Sequence, residues 1–196
     1  MKLTIGLAAA LLFCATTAQA QGFSLGVKAG FNLADISIKD AGDIFEPNNR
    51  TGFVGGVFII VPTGALFAFQ PEVLVSQQGA KFSELGNSGT IKLDYLQVPL
   101  LARIKPSQSP VGIIVGPSLG YRIHAKLSAE GLEEDEDVSE QVKKTDFGFV
   151  AGVAFDAGHL VIDARYIWGL TNINNDSTDP ATLKNRVAQF TVGFRF

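Results

Sequence analysis

Hydrophobic and polar residues alternate one by one through most of the chain, and most regularly at its end. Because successive side chains of a strand point to opposite faces, the last nine residues predict a strand with one apolar and one polar face. The apolar face carries Phe190, Val192, Phe194 and Phe196. A carboxyl-terminal strand of this kind is typical of bacterial outer-membrane β-barrels, in which it faces lipid and closes the sheet against the first strand. We expect these four residues to act as the barrel-assembly signal.

The same period of two predicts eight strands, at residues 23–33, 51–61, 66–78, 90–104, 111–127, 146–156, 160–171 and 188–196. Long polar connections at 34–50, 79–89, 128–144 and 172–185 alternate with short ones at 62–64, 105–110 and 157–159. Long loops at one rim and tight turns at the other are typical of a transmembrane barrel with periplasmic turns. The chain therefore predicts an all-β fold: an eight-stranded antiparallel up-and-down transmembrane β-barrel with four long extracellular loops.

Alternation alone leaves open which face lies inside, since a soluble ligand-binding barrel has the same period with its apolar side chains inward. The volume of the apolar face decides, because it carries most of the 15 Phe residues together with Tyr121, Tyr166 and Trp168. An eight-stranded barrel has room for few such rings. The polar face is rich in glycine and charge, so we expect it to line the lumen and the apolar face to contact lipid.

Nine charged residues fall on the polar face and predict a charge network in the lumen: Lys28, Glu72, Arg103, Arg122, Lys126, Asp146, Asp163, Arg165 and Arg195. Both signs are interleaved, which favours a plug of paired charges that fills the barrel. The alternative is a narrow polar pathway for small solutes, although continuous pores normally need more strands.

Three prolines lie within predicted strands, although a closed barrel offers no free edge to tolerate a missing hydrogen-bond donor. Pro71, Pro99 and Pro117 are therefore expected at β-bulges or in strand ends beyond the membrane, and a bulge would shift the register by one residue.

The amino terminus predicts export. Lys2 precedes an apolar run at residues 3–13, and Ala18-Gln19-Ala20 is a small-x-small cleavage site. We expect residues 1–20 to be a cleaved signal peptide, with Cys14 lost, and residues 21–196 to form one barrel domain. The formal net charge of −3 and the lack of a long basic cluster argue against nucleic-acid binding.

Motifs for catalysis or metal binding are weak. His124 and His159 are the two histidines, and they fall near opposite rims without an evident serine or aspartate partner. The acidic run at residues 130–140 and the Asn/Asp-rich segment at 172–179 lack the spacing and glycine of a calcium loop, so both favour solvated loops. No catalytic residue, metal site or cofactor is predicted.

Several short motifs occur in a characteristic order: Gln70-Pro71-Glu72-Val73, residues 95–100 (YLQVPL), residues 116–120 (GPSLG), Asp146-Phe147-Gly148, Arg165-Tyr166 and residues 169–172 (GLTN). Through them the whole mature chain resembles the porin-like outer-membrane β-barrel family of Bacteroidota, which includes PorT-type proteins. The resemblance implies an eight-stranded barrel in the outer membrane and implies no reaction.

The function that we expect is a small, monomeric, non-enzymatic scaffold in the bacterial outer membrane that presents its loops. Expected partners are outer-membrane lipid and lipopolysaccharide, the barrel-assembly machinery and a protein bound by the loops. The alternatives are a narrow channel for small polar solutes, a barrel enzyme that depends on His124, and a soluble periplasmic barrel.

Overall fold

Eight long strands account for most of the chain. The computed structural model describes residues 22–39, 48–84, 87–106, 108–129, 136–175 and 182–196. Within these ranges the strands are β1 (Ser24–Lys39), β2 (Asn48–Pro62), β3 (Phe67–Glu84), β4 (Asn87–Ile104), β5 (Val111–Ala129), the two-residue β6 (Glu136–Asp137), β7 (Thr145–Ala157), β8 (Leu160–Gly169) and β9 (Thr182–Arg195). The predicted signal peptide lies outside the described residues. No helix in the described part of the chain is long and apolar enough to cross a bilayer.

The long strands form a closed antiparallel ring in the order β1-β2-β3-β4-β5-β7-β8-β9. Strands β4 and β5 pair directly, and β9 returns to β1 over fourteen residue pairs that include Phe31 opposite Phe190. Closure leaves no long strand with an unpaired edge, which a barrel in lipid requires. The predicted eight-stranded barrel is confirmed.

The two faces of the barrel differ as the alternation predicts. Outward side chains are apolar and exposed, with Phe53 and Val192 each 54% accessible, whereas Glu72 and Gln189 on the inside are 1% and 0% accessible. Exposed apolar side chains over so large an area would be unstable in water and are suited to lipid. The polar face therefore lines the lumen.

Several strands extend well beyond the predicted ends at the loop side. Most of the predicted loop at 79–89 is strand, because β3 and β4 continue to the pair Glu84 and Asn87. Likewise β1 reaches Lys39, and β9 begins at Thr182 rather than at residue 188. A strand of 9–11 residues is enough to cross a bilayer, so the upper parts of these strands stand above it.

The three prolines cause no shift of register. Pro71 pairs with Leu100, Pro99 with Ser118 and Pro117 with Phe149, all within long strands. Local pairs are missing beside Pro71 and Pro99, yet the register is the same on both sides. The expectation that these prolines mark bulges was therefore wrong, because a sheet can lose single hydrogen bonds without an inserted residue.

A bulge does occur elsewhere, between β4 and β5. Asp94 pairs with His124 and Tyr95 with Arg122, which leaves Ile123 without an opposing residue. The extra residue reverses the alternation, so that Ala125 is buried while His124 and Lys126 are exposed. This reversal changes which charges reach the lumen.

Candidate functional site in the barrel lumen

Four charged side chains fill the centre of the lumen. The Lys28 ammonium lies 2.8 Å from a Glu72 carboxylate oxygen and also pairs with Asp163. The Arg165 guanidinium lies 2.9 Å from the second oxygen of Glu72. The four side chains are at most 1% exposed, and their formal charges cancel. We call this set the central quartet.

The central quartet reaches across the barrel. Lys28 is on β1, Glu72 on β3, and both Asp163 and Arg165 are on β8. Strands β3 and β8 are four places apart in a ring of eight, so they lie on opposite walls. The pair formed by Glu72 and Arg165 thus spans the diameter of the lumen.

Neutral polar groups add hydrogen bonds to the central quartet, although Glu72 Oε2, Asp163 Oδ1 and Arg165 Nη1 make none. Gln70 donates to Glu72 at 2.7 Å, and Thr191 donates to Asp163 at 3.2 Å. With its amide oriented to suit both neighbours, Gln189 accepts from Arg165 at 3.0 Å. The Phe58 ring, which also faces inward, lies 4.8 Å from the Lys28 nitrogen. A buried charge network is stable only when its remaining donors and acceptors are largely satisfied in this way.

A cationic group of side chains lies at the turn-side end of the lumen. Arg103 donates to Asp156 at 2.6 Å and to Gln70 at 2.8 Å. Lys105 and Arg195 lie 3.3 and 4.0 Å from the carboxylate of Asp156. Three cations thus surround one carboxylate, beside an open cavity of about 210 Å³. Asp156 is absent from the predicted network, although it lies on the polar face of its strand.

The remaining predicted charges are at the loop-side end. Asn185 donates to Asp146 at 2.7 Å and to the Tyr95 hydroxyl at 3.2 Å. Arg122 is buried and donates to the backbone carbonyl of Ser139 at 2.7 Å. At this end the inward charged side chains form hydrogen bonds with neutral side chains and with the backbone, rather than ion pairs with opposite charges.

An apolar layer closes the lumen above these groups. It contains the buried residues Ile36, Ala80, Leu93, Tyr95, Ala125 and Ile173, with Ile91, Val138, Val142 and Leu183 packed against them. Sequence reasoning missed this layer, because the alternation was interpreted as one polar face along each whole strand. The signal that was available is Ile36, an apolar residue that continues the polar face of β1 beyond the predicted strand end.

Lys126 does not belong to the lumen network. It is exposed on the outside, because the bulge at Ile123 reverses the direction of the residues that follow. His124 also points outward, with its Nδ1 3.8 Å from Asp94. His159 is at the other end of the barrel, where its Nδ1 lies 2.8 Å from the carbonyl of Arg195. The two histidines are thus far apart, as their places in the chain predict.

No cluster of three or more His, Cys, Asp or Glu side chains suitable for a metal ion occurs among the described residues. The carboxylates of the lumen are instead engaged by Lys, Arg and amide groups.

This geometry defines the class of protein: a small transmembrane β-barrel with a filled lumen. The model of the family described as outer membrane protein beta-barrel domain matches residues 17–175. The chain belongs to that family, and its location is the bacterial outer membrane.

Solved structures show the same fold. The crystal structure of Neisserial surface protein A is 16% identical, with a TM-score of 0.55 over 89% of this chain and 97% of that one. The crystal structure of Ail, the attachment invasion locus protein of Yersinia pestis, is 20% identical, with a TM-score of 0.53 over 90% and 99%. A second structure of Ail, in complex with the heparin analogue sucrose octasulfate, is 18% identical, with a TM-score of 0.52 over 89% and 99%. At these identities the likeness extends to the fold alone. No curated protein matches the sequence.

Proposed function

We propose that the protein is a non-conducting, non-enzymatic scaffold of the outer membrane that holds a structured surface outside the cell. The observation that carries this proposal is the ion pair of Glu72 and Arg165, which crosses the lumen between opposite walls. A solute would have to break this pair and its contacts with Lys28 in order to pass. Separating a buried pair leaves both charges uncompensated in the lumen, so the closed state is favoured.

The surface that the scaffold presents includes two segments held together above the barrel. The backbone N–H of Lys143 donates to Ile173 at 2.8 Å, and that of Asn175 donates to Gln141 at 2.9 Å. The Asn175 side chain donates to Glu140 at 2.8 Å. Segment 138–144 between β6 and β7 is thereby joined to segment 170–175 after β8. Preformed loops bind a partner at a lower entropic cost than free ones, which suits a surface for recognition.

The proposal has further parts. The protein acts as a monomer in contact with outer-membrane lipid and lipopolysaccharide, and its loops bind a protein partner. Its last strand, with Phe190, Val192, Phe194 and Phe196 directed outward, is the signal read by the barrel-assembly machinery. The order of its short motifs supports placing it with the PorT-type barrels of Bacteroidota.

Single-channel recording in planar bilayers tests the proposal. We expect no discrete openings from the wild-type barrel, because the central quartet closes the lumen. A variant that removes the closing pair, Glu72→Ala/Arg165→Ala, is the positive control for detecting a pathway. Discrete wild-type openings would overturn the scaffold.

A narrow channel is the second candidate, and the cationic turn-side cavity favours it. Arg103, Lys105 and Arg195 outnumber Asp156 there and would attract small anions. A channel predicts wild-type openings whose anion preference falls in Arg103→Ala, and whose conductance changes in Arg122→Ala at the other end.

An enzyme predicts instead an activity on lipid or peptide that His124→Ala abolishes.

A further inference from the structure

Cationic side chains line a cleft on the outer surface of β2–β5, where the lipid-facing band ends. It is lined by Arg50, Gln77, Lys92, Asp94, His124 and Lys126 and has a volume of about 230 Å³. Three of these residues are permanent cations and one is a carboxylate. The cleft is separate from the lumen, and nothing in the scaffold function explains its charge.

The strand register places this cleft at the margin of the apolar band. Val75, Leu96 and Tyr121 are aligned on β3, β4 and β5, and are 46%, 38% and 53% exposed on the lipid-facing side. The next outward residues along β3 and β4 are Gln77 and Asp94. On β5 the bulged Ile123, which is 45% exposed, comes before His124, which is aligned with Asp94. The outward surface thus changes from apolar to polar at this row on β3 and β4, and directly after Ile123 on β5.

The row after that carries the lysines. Lys92 pairs with Lys126 across β4 and β5, and Gly79 of β3 lies opposite Lys92. Like charges directly opposite each other destabilise a sheet, and Lys126 also lies opposite Asp137 of β6. Arg50 comes to the same cleft from β2, where its guanidinium donates to the backbone carbonyl of Gln78. The bulge at Ile123 is what brings Lys126 out of the lumen and into this row.

These positions match the phosphate groups of a lipid leaflet. Tyrosine marks the boundary between hydrocarbon and headgroups, and Tyr121 is the last aromatic residue on the lipid-facing side of β5. The cations one and two rows higher are then at headgroup depth, where Lys and Arg bind anionic lipid. The cleft of about 230 Å³ is large enough to admit one phosphate group with some solvent.

We propose that Arg50, Lys92 and Lys126 bind the anionic phosphate on the headgroup of an outer-leaflet lipid. Arg50 supplies a planar donor fork, and the two lysines supply point charges, both of which are suited to phosphate oxygens. The proposal rests on the lipid contact proposed above and assigns it to one face of the barrel. The bound lipid would fix the depth and the rotation of that face in the leaflet.

Retention of lipid A, which carries phosphate groups, tests the site. The wild-type barrel is placed in phosphatidylcholine nanodiscs with and without lipid A, extracted into detergent, and analysed for bound lipid by native mass spectrometry. We expect lipid A to remain bound to the wild type, and Lys92→Gln/Lys126→Gln to weaken its binding by about fivefold for each lysine. The matched control is Lys184→Gln/Arg186→Gln on β9, which removes two cations from the loop-side end of the opposite wall and should bind as the wild type does.

Three outcomes would overturn the inference. They are unchanged retention by Lys92→Gln/Lys126→Gln, equal loss in the control pair, and displacement of lipid A by inorganic phosphate, which would indicate a site for free phosphate. A gel shift on boiling verifies that both variants fold. Channel recordings on the same samples distinguish the two proposals. Channel openings with lipid A still bound would overturn only the proposed scaffold function. Loss of the preference for lipid A without channel openings would overturn only the proposed lipid site.

Discussion

Arg165 and Glu72 lie on opposite walls of the barrel, and their side chains meet 2.9 Å apart in the middle of the lumen. Each is fully shielded from solvent, and Glu72 also accepts from Lys28. The contact links β3 to β8, which share no backbone hydrogen bonds. It therefore braces the ring across its diameter as well as closing it.

The central quartet should show strong coupling in stability measurements. We expect Glu72→Leu or Arg165→Met alone to lower the free energy of unfolding by about 3–5 kcal/mol, because each leaves an uncompensated buried charge. The double variant should cost less than either single change, since Lys28 and Asp163 still pair with each other. Urea unfolding in lipid vesicles measures all three. Additive costs would show that the four charges do not act as one network.

Glycines on the inner face should be required where strands approach closely. A Cβ at Gly30 would overlap the backbone carbonyl of Phe190 on β9, at the seam that closes the barrel. We expect Gly30→Ala to destabilise the barrel by about 1–3 kcal/mol, because the strands must separate to admit the methyl group.

Gly64→Ala is the control for that change, since no atom lies within 4 Å of the added group. The fraction of each protein that shifts on boiling in SDS gels measures how much has folded. Equal folding of both variants would contradict the role given to Gly30.

A charged side chain on the lipid-facing band should destabilise the barrel. Val192 is outward and 54% exposed on β9, between Phe190 and Phe194. We expect Val192→Arg to cost about 2–4 kcal/mol if the residue lies near the bilayer midplane, whereas Val192→Leu should be close to wild type. Folding into vesicles, followed by urea titration, measures the difference. A neutral effect of arginine would mean that this face is in water.

The direction of β5 beyond its bulge can be tested by labelling. Cys14 is the chain's single cysteine, so Cys14→Ser supplies a cysteine-free background. In that background we expect Lys126→Cys to react with a membrane-impermeant maleimide on intact cells. Arg122→Cys should react much more slowly, because a buried thiol is shielded from reagent. Faster labelling of Arg122→Cys than of Lys126→Cys would show that Lys126 points into the lumen, as the alternation alone predicts.

The sequence predicted the membrane-spanning parts of the strands better than their extensions above the membrane. Where one face meets lipid, a single slip would put charge into hydrocarbon, so the alternation determines both the register and the inside. This is why Lys28, Glu72, Asp163 and Arg165 could be placed in the lumen. Above the membrane both faces meet water or loop residues, so the alternation weakens, and the extensions of β1, β3, β4 and β9 were interpreted as loops.

The sequence by itself determined the class of fold, the lipid-facing side and most of the inward charges, because each follows from local alternation against a bilayer. Only the tertiary structure decided which charges pair, since Lys28 meets partners 44 and 135 residues away. It also decided that Ile123 is a bulge and that Lys126 points outward. A bulge is a property of two paired strands, and neither strand carries it alone.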